Sequence, residues 1–509
     1  MEATAPIVVS PIAAPARLSY SFARQHGVLL MSGEEGLTAL YRTGADVFAL
    51  REARRVGRQP LIRREVDPAE FDRLLSSIYA QGDLSETAAT VMEAPQDLSA
   101  LADSIPQTSD LLDSEDDAPV IKLINGILQE AIRQKASDIH IEPYQNRVST
   151  RLRVDGALRE VLSLAPQLSG SLVSRVKVMA RLDIAKKRVP QDGRFSLNLG
   201  ERAVDIRVST LPSQYGERVV MRLLEKTAQL LDLSQIGLGT EDLALMRRAI
   251  ARPNGIVLVT GPTGSGKTTT LYGAVSELND GSRNILTIED PVEYALDGIG
   301  QTQVNSKIGM TFAAGLRAIL RQDPDVVMVG EIRDPETAQI AVQAALTGHL
   351  VLSTVHTNSA AAAIARLRDM GIESFLLAST ATAIAAQRLV RKLCEQCKEG
   401  YTPSARELSD LGLSPKTKLT FFAPKGCMTC RQTGYNGRLG IFEIISVDED
   451  IKRLIHDQAR EGEIAKMAFK DRPTLLQSGA DHVISGRTSA AEVLRVCRAN
   501  EAEAVSGDI

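Results

Sequence analysis

Residues 256–273 read IVLVTGPTGSGKTTTLYG, five apolar or β-branched residues running straight into glycines, a lysine and three threonines. The run Ile256–Thr260 is short and bounded by glycine, which predicts a buried strand of a parallel sheet. The residues after it fill G-x-x-x-x-G-K-[ST] with Gly261, Gly266, Lys267 and Thr268. A plain glycine-rich turn is the bland alternative, but a strand before and a helix after make the pattern more specific. Glycines let backbone N–H groups curl around an anion, and a helix starting near Lys267 aims its positive end at it. Lys267 would reach the β- and γ-phosphates, and the Thr268 hydroxyl would complete a magnesium shell. The expected nucleotide contacts are Gly261, Pro262, Thr263, Gly264, Ser265, Gly266, Lys267, Thr268 and Thr269.

The chain has 509 residues, enough for roughly three domains at about 150 residues each. Hydrophobic residues make up 44% and charged residues 24%, ordinary values for folded soluble protein. A net charge of −4 argues against a chain that tracks nucleic-acid phosphates along its length. The N-terminal MEATAPIVVSPIAAPAR lacks a basic leader and is a poor secretory signal. No stretch offers 18 uninterrupted apolar residues, so no membrane-spanning helix is expected. The expected compartment is the cytosol.

Residues 1–95 read as a first, mixed domain, with a strand within LSYSFARQHGVLL and an amphipathic helix at PAEFDRLLSSIYAQG. A docking module is one reading of it. Residues 96–118 are acidic with no cationic residue, the composition of a flexible linker. A second, α+β domain spans 119–234: VIKLINGILQEAIRQK has helical spacing, and RVSTRLRVDG, FSLNLG, AVDIRVST and ERVVMRLLE alternate as strands. From residue 235 to 509 strands and helices alternate, the signature of a parallel sheet with crossover helices.

Hydrolysis needs acidic groups beside the phosphate loop, to hold magnesium and orient water. ILTIEDPVEY runs into Glu289, Asp290 and Glu293; DVVMVGEIRD runs into Gly330, Glu331, Arg333 and Asp334. Ligands of doubly wound sheets gather beyond the carboxyl ends of strands, where both clusters fall. The common second nucleotide motif ends its strand in Asp, and here Gly330 and Glu331 stand in that place. Which glutamate polarises water is left open. In TGHLVLSTVHTNSA, His349 and His356 flank the apolar Leu350–Val355. At about 3.3 Å per residue a straight strand sets them roughly 23 Å apart, so both cannot touch one phosphate. His356 lies at the carboxyl end and is the candidate sensor; His349 caps the strand or serves a subunit boundary. DIRVSTLPSQYGERVVMRLL reads as two strands joined by a turn containing Pro212 and Gly216. Arg218 and Arg222 share one face, with Arg207 on the neighbouring strand. A guanidinium delivered to a developing phosphoryl charge is worth about three to five orders of magnitude in rate, against the alternative of a basic sheet face. Cys394-x2-Cys397 and Cys427-x2-Cys430 suit a closed, structural four-thiolate zinc site within an insert at about 394–430, while Cys497 sits in a helical pattern.

Together these stretches resemble the secretion ATPase superfamily of bacterial traffic motors, and most closely its type II secretion (general secretory pathway) E-type branch. The resemblance rests on GPTGSGKTTT, ILTIEDPVEY, DVVMVGEIRD, TGHLVLSTVHTN, the tetracysteine insert, ASDIHIEPYQNRV, LDIAKKRVPQDGRF and SYSFARQHGVLL. It implies an α/β fold: a RecA-like P-loop ATPase core, a preceding α+β domain, an N-terminal docking domain and the tetracysteine zinc insert. It implies ATP, Mg2+ and Zn2+ as cofactors. It implies a homo-hexamer peripheral to the cytoplasmic face of the inner membrane. Its partners would be the cytoplasmic domain of a bitopic inner-membrane protein and an inner-membrane platform protein, with no nucleic acid. ATP turnover would drive assembly of a pseudopilus that expels folded proteins, and Arg207 and Arg222 match arginines that approach the nucleotide. The rival readings are a type IV pilus assembly motor, a nucleic-acid translocase, and a scaffold that binds ATP without useful turnover.

Overall fold

A computed structural model of the protein describes residues 118–199, 202–225 and 231–505, and most of residues 22–74. The chain divides into two compact units, residues 1–227 and 228–509.

The first unit opens with a three-stranded sheet: β1 (Val28–Gly33), β2 (Gly36–Arg42) and β3 (Ile62–Val66), in that order. The helix Val47–Gly57 lays Ala49 and Ala53 against Leu30, Leu37 and Ala39 of the hairpin. Among the described residues of the stretch LSYSFARQHGVLL, strand begins at Val28. Of the expected amphipathic helix, Pro68, Glu70, Phe71 and Leu74 are helical and the rest lies outside the described residues, as do residues 96–97 and 99–117 of the acidic segment.

A six-stranded antiparallel sheet comes next: β4 (Asp138–Pro143), β5 (Val148–Val154), β6 (Ala157–Leu164), β7 (Gln191–Leu199), β8 (Arg202–Ser213) and β9 (Gly216–Glu225). Its order is β6-β5-β4-β9-β8-β7. Side chains of a strand alternate between faces. Ile139, Ile141, Leu152, Ile206, Val208, Val219 and Met221 therefore pack under the helices Ala118–Arg133 and Leu168–Met179, leaving Asp138, His140 and Glu142 on the opposite face. Pro212 is still paired, with Glu217, so the turn is Gln214–Tyr215 alone and tighter than the sequence suggests. β4 is absent from the predicted strands because its two isoleucines are outnumbered by polar residues.

The second unit holds β10 (Gly255–Thr260), β11 (Ile285–Glu289), β12 (Gly300–Gln303), β13 (Val326–Val329), β14 (Leu350–Val355), β15 (Ala381–Leu393), the short pair β16 (Glu399–Tyr401) and β17 (Phe421–Ala423), and β18 (Tyr435–Ser446). The main sheet runs β12-β11-β13-β14-β10-β15-β18, parallel except for β18. Each central strand divides its residues between two cores. Ile256, Leu258, Val327, Val329, Val351 and Ile384 face one layer of helices; Val257, Val259, Val326, Met328, Leu352 and Ala383 face the other. Burial on both faces is why these strands read as unbroken apolar runs. Leu233 is fully buried in the second of these cores, so the segment before residue 235 packs with the second unit. Leu352 is 0% exposed at the centre of the sheet. Leu352→Ala should cost about 2–5 kcal/mol by lost transfer energy plus cavity, read as a lowered midpoint of urea unfolding.

Candidate active site

β10 is buried along its length and ends at Thr260, where the chain turns through glycines. Gly261, Gly264 and Gly266 have φ of 148°, 80° and 88°, a region where side chains are strained. At Gly261 an added Cβ would also stand 2.5 Å from the Gln387 carbonyl oxygen. Gly266 ends the loop and opens the helix Lys267–Leu278. Pro262, Thr263, Gly264 and Thr268 are exposed at the mouth, Thr269 is half-buried, and the Ser265 hydroxyl is buried with no hydrogen-bond partner among the described residues. Orphaned buried hydroxyls are rare and call for a ligand or an equivalent explanation. Lys267 folds over the loop, donating to the carbonyls of Gly261 (2.7 Å) and Pro262 (3.1 Å). Burial lowers its ammonium pKa to about 8; the Glu331 carboxylate opposes that shift and the Arg388 guanidinium adds to it.

The carboxyl ends of β13 and β14 supply the neighbours. Glu331 is buried, with Arg333 Nη2 at 2.6 Å from one carboxylate oxygen and His356 Nε2 at 3.3 Å from the other. Burial and then the Lys267 charge hold the His356 imidazole below its ordinary pKa. Thr357, just beyond His356, ties its hydroxyl to that of Thr260 at 2.7 Å and locks the histidine segment to β10. Glu289, at the end of β11, is also buried; it accepts from the hydroxyls of Tyr272 and Thr287 and from the Gln301 amide. His349 lies at the other end of β14, its Nδ1 2.9 Å from the Ala344 carbonyl oxygen, away from the cradle. The structure thus brings Lys267, Glu331 and His356 together, sets Glu289 on a neighbouring strand end, and leaves His349 out.

Residues 113–495 match the family described as "Type II/IV secretion system protein", and residues 17–79 match an N-terminal domain family of "GSPII protein E". The chain is 53% identical over 500 residues to the "Type II secretion system protein E" of Pseudomonas aeruginosa, covering 98% of this chain and 99% of that one. It is 54% identical to the "Type II secretion system ATPase E" of Vibrio cholerae over 95% of this chain and 97% of that one. Among solved structures, the pilus retraction motor PilT with bound ADP aligns over 72% of this chain and 95% of its own, with a TM-score of 0.51 and 26% identity. The DotB ATPase of Legionella pneumophila shares the fold over 76% of this chain and 96% of its own, at a TM-score of 0.55 and 23% identity.

The chain belongs to the type II/IV secretion system protein family. It is an ATP hydrolase whose turnover is coupled to protein secretion, built on the secretion-ATPase α/β core.

This secretion ATPase carries two features that the cradle motif does not announce. Gln387 and Arg388 interrupt the apolar run of β15, the strand on the other side of β10. Gln387 accepts from the Thr270 hydroxyl at 2.7 Å, and Arg388 donates to the Asn358 carbonyl at 2.8 Å. The pair is the floor of the cradle. Its one trace in the sequence is a polar doublet inside ATAIAAQRLV. Tyr272, five residues past Lys267, is the second, since a tyrosine on an apolar helix reads as core.

In the six-stranded sheet, Arg207 and Arg222 stand directly opposite each other across β8 and β9. Arg222 Nε lies 2.9 Å from Asp138, and Arg218 pairs with Glu142. Arg218 and Arg222 therefore project from one face, beside the carboxylates of β4.

Cys394, Cys397, Cys427 and Cys430 converge with all four sulfurs within 4.8 Å of one another. The sulfurs are 3.8 Å apart in Cys394–Cys427 and 3.7 Å apart in Cys397–Cys430 and Cys427–Cys430. Four sulfurs at about 2.3 Å from one ion stand about 3.8 Å apart, so the cluster fits tetrahedral zinc. Cys497 lies elsewhere, in the helix Ala490–Val505, its thiol pushed up to about 11 by burial.

Two measurements test this geometry. Lys267 falls from 10.5 to about 8 in the folded chain, so above about pH 8 the folded chain holds a neutral lysine while the unfolded chain still binds the proton. Fold stability therefore gains from this group as pH rises through that window, whereas a bound phosphate needs the cation back. Affinity for magnesium-ATP should be flat below about pH 8 and fall by up to about tenfold per pH unit above it. Fluorescent-nucleotide titration reads this, and Lys267→Arg, always charged, should abolish the slope. Elemental analysis should find zinc in the purified chain and none after Cys430→Ser, with protease sensitivity rising around residues 394–434.

Proposed function

We propose that this chain is the cytoplasmic motor of a type II secretion system, using ATP hydrolysis to drive pseudopilus assembly and protein export across the outer membrane. One observation carries the catalytic reading: Lys267, Glu331 and His356 converge on a left-handed glycine loop whose buried Ser265 hydroxyl lacks a partner among the described residues. Such a loop is built to take up oxyanions.

The backbone amides of residues 261–269 and the Lys267 ammonium would bind the phosphates. Thr268 and Glu331 would hold magnesium, since Glu331 is the carboxylate whose charge reaches Lys267. Magnesium, when bound, neutralises charge on the β- and γ-phosphoryl oxygens. Glu289 is the better group to orient water and take its proton. Its donors are a phenol, a hydroxyl and an amide, all neutral, whereas Glu331 already faces the Arg333 guanidinium. His356, neutral and beside Glu331, would sense the γ-phosphate. Arg207 and Arg222 would close on the developing charge, with Arg222 leaving Asp138 as it does so. Loss of the γ-phosphate contacts then releases the arginine-bearing domain, and the motion becomes work.

Residues 1–95 would dock onto the cytoplasmic domain of a bitopic inner-membrane protein. Residues 96–118 would be an acidic linker, 119–234 would carry the arginines, and 235–509 would form the ATPase domain with its zinc insert. The match of residues 17–79 to the N-terminal domain of a GSPII protein E supports docking through that segment and favours type II secretion over pilus assembly. No helix among the described residues is long and apolar enough to cross a membrane, so attachment would be peripheral and through partners, an inner-membrane platform protein among them. The working assembly would be a homo-hexamer.

Steady-state ATPase assays test the chemistry. Lys267→Ala should remove nucleotide affinity. Glu289→Gln should lower kcat by about 10²–10⁴ with binding retained, and Arg222→Ala by about 10³. Turnover that survives in both Glu289→Gln and Glu331→Gln would overturn the proposal. Assays with and without the partner's cytoplasmic domain, alongside mass measurement of the assembly, test the motor reading.

A further inference from the structure

We propose that the Tyr272 hydroxyl is a positioning group for the Glu289 carboxylate, so that the helix holding the phosphates also sets the place of the group that orients water. This rests on Glu289 having that role.

Tyr272 lies on the helix Lys267–Leu278, a turn and a half beyond the lysine, and is 0% exposed. Its hydroxyl donates to Glu289 Oε2. The other oxygen, Oε1, accepts from the Thr287 hydroxyl at 2.6 Å and from Gln301 Nε2 at 3.2 Å. The three donors come from three elements: the cradle helix, β11 itself and β12. A carboxylate offers about four lone-pair sites. Three are taken, which leaves about one directed site for a water. The Tyr272 oxygen is itself fixed by the Glu293 amide at 3.3 Å and Gln301 Nε2 at 3.4 Å. Its ring stands edge-on to Tyr294 at 4.7 Å between centroids. Burial, then the Glu289 bond and charge, drive the phenol's pKa far up, so it stays a donor throughout the working range.

Packing explains an aromatic ring at 272; it does not explain a hydroxyl aimed at an acidic group. A phenylalanine would fill the same space beside Leu271 and Val275. The hydroxyl makes the position of Glu289 follow the helix whose first residues grip the phosphates. An error of about 1 Å in such a group costs on the order of a hundredfold in rate.

The test is a double-mutant cycle in the full chain. Tyr272→Phe should lower kcat by about ten- to hundredfold while the affinity for magnesium-ATP and the melting midpoint stay close to wild type. In the Glu289→Gln background it should cost nothing further, because the carboxylate it positions is gone. Thr287→Val, removing a second donor, should behave likewise in both backgrounds. An equal loss with and without Glu289 means a merely structural tyrosine and overturns the inference, as does full kcat in Tyr272→Phe. If Glu289→Gln alone keeps full activity, the water-orienting role itself falls, and the inference falls with it.

Discussion

The arrangement turns on one unfavourable placement: an ammonium pressed against carbonyl oxygens, almost out of water, at the end of a strand with no solvent on either side. Lys267 bonds to the loop it belongs to, and its burial costs enough to bring its pKa down to about 8. That cost is tolerable because the sheet beneath is rigid. β10 is flanked by β14 and β15 and packed by two separate cores, so the strand that anchors the loop is held on every side. Anionic oxygens brought to the same ammonium would favour its charged form and raise that pKa again.

The parallel topology then decides which residues can take part. Crossover helices return each strand in the same direction, so the ends of β11, β13 and β14 all fall on the side of the cradle. Glu289, Glu331 and His356 are each the last strand residue or within two positions of it. His349, at the start of β14, faces the opposite rim, where its ring meets the Ala344 carbonyl oxygen and the Thr347 hydroxyl. The strand direction separates two histidines that the sequence presents as a matched pair.

Local patterns are written contiguously, and those were legible in the sequence: the phosphate loop, the buried strands and the cysteine pairs. Leu350–Val355 is a strand over the very residues its apolar run marks. Contacts between distant segments are not written that way. Gln387 lies more than a hundred positions from Thr270 and yet bonds to it, with only a polar doublet on an apolar strand as a clue. β4 is faint in the sequence because a strand whose outer face carries Asp138, His140 and Glu142 has little apolar signal. The facing of Arg207 and Arg222 depends on register, which the two-residue turn at Gln214–Tyr215 sets. Moving that turn by one residue would send one arginine to the core.

The cysteine knuckle lies between the two longest strands of the ATPase sheet, closing the excursion from Leu393 to Tyr435 just where β15 and β18 part. Farther back along β15 are Gln387 and Arg388, under the phosphate loop. Val390, Leu408, Phe421, Leu439 and Ile441 pack an apolar core on the last rungs of that ladder, so an ion on the four sulfurs would pin only the excursion beyond them. Scarcity of the metal would therefore loosen the excursion first and leave the strands beneath the nucleotide in place.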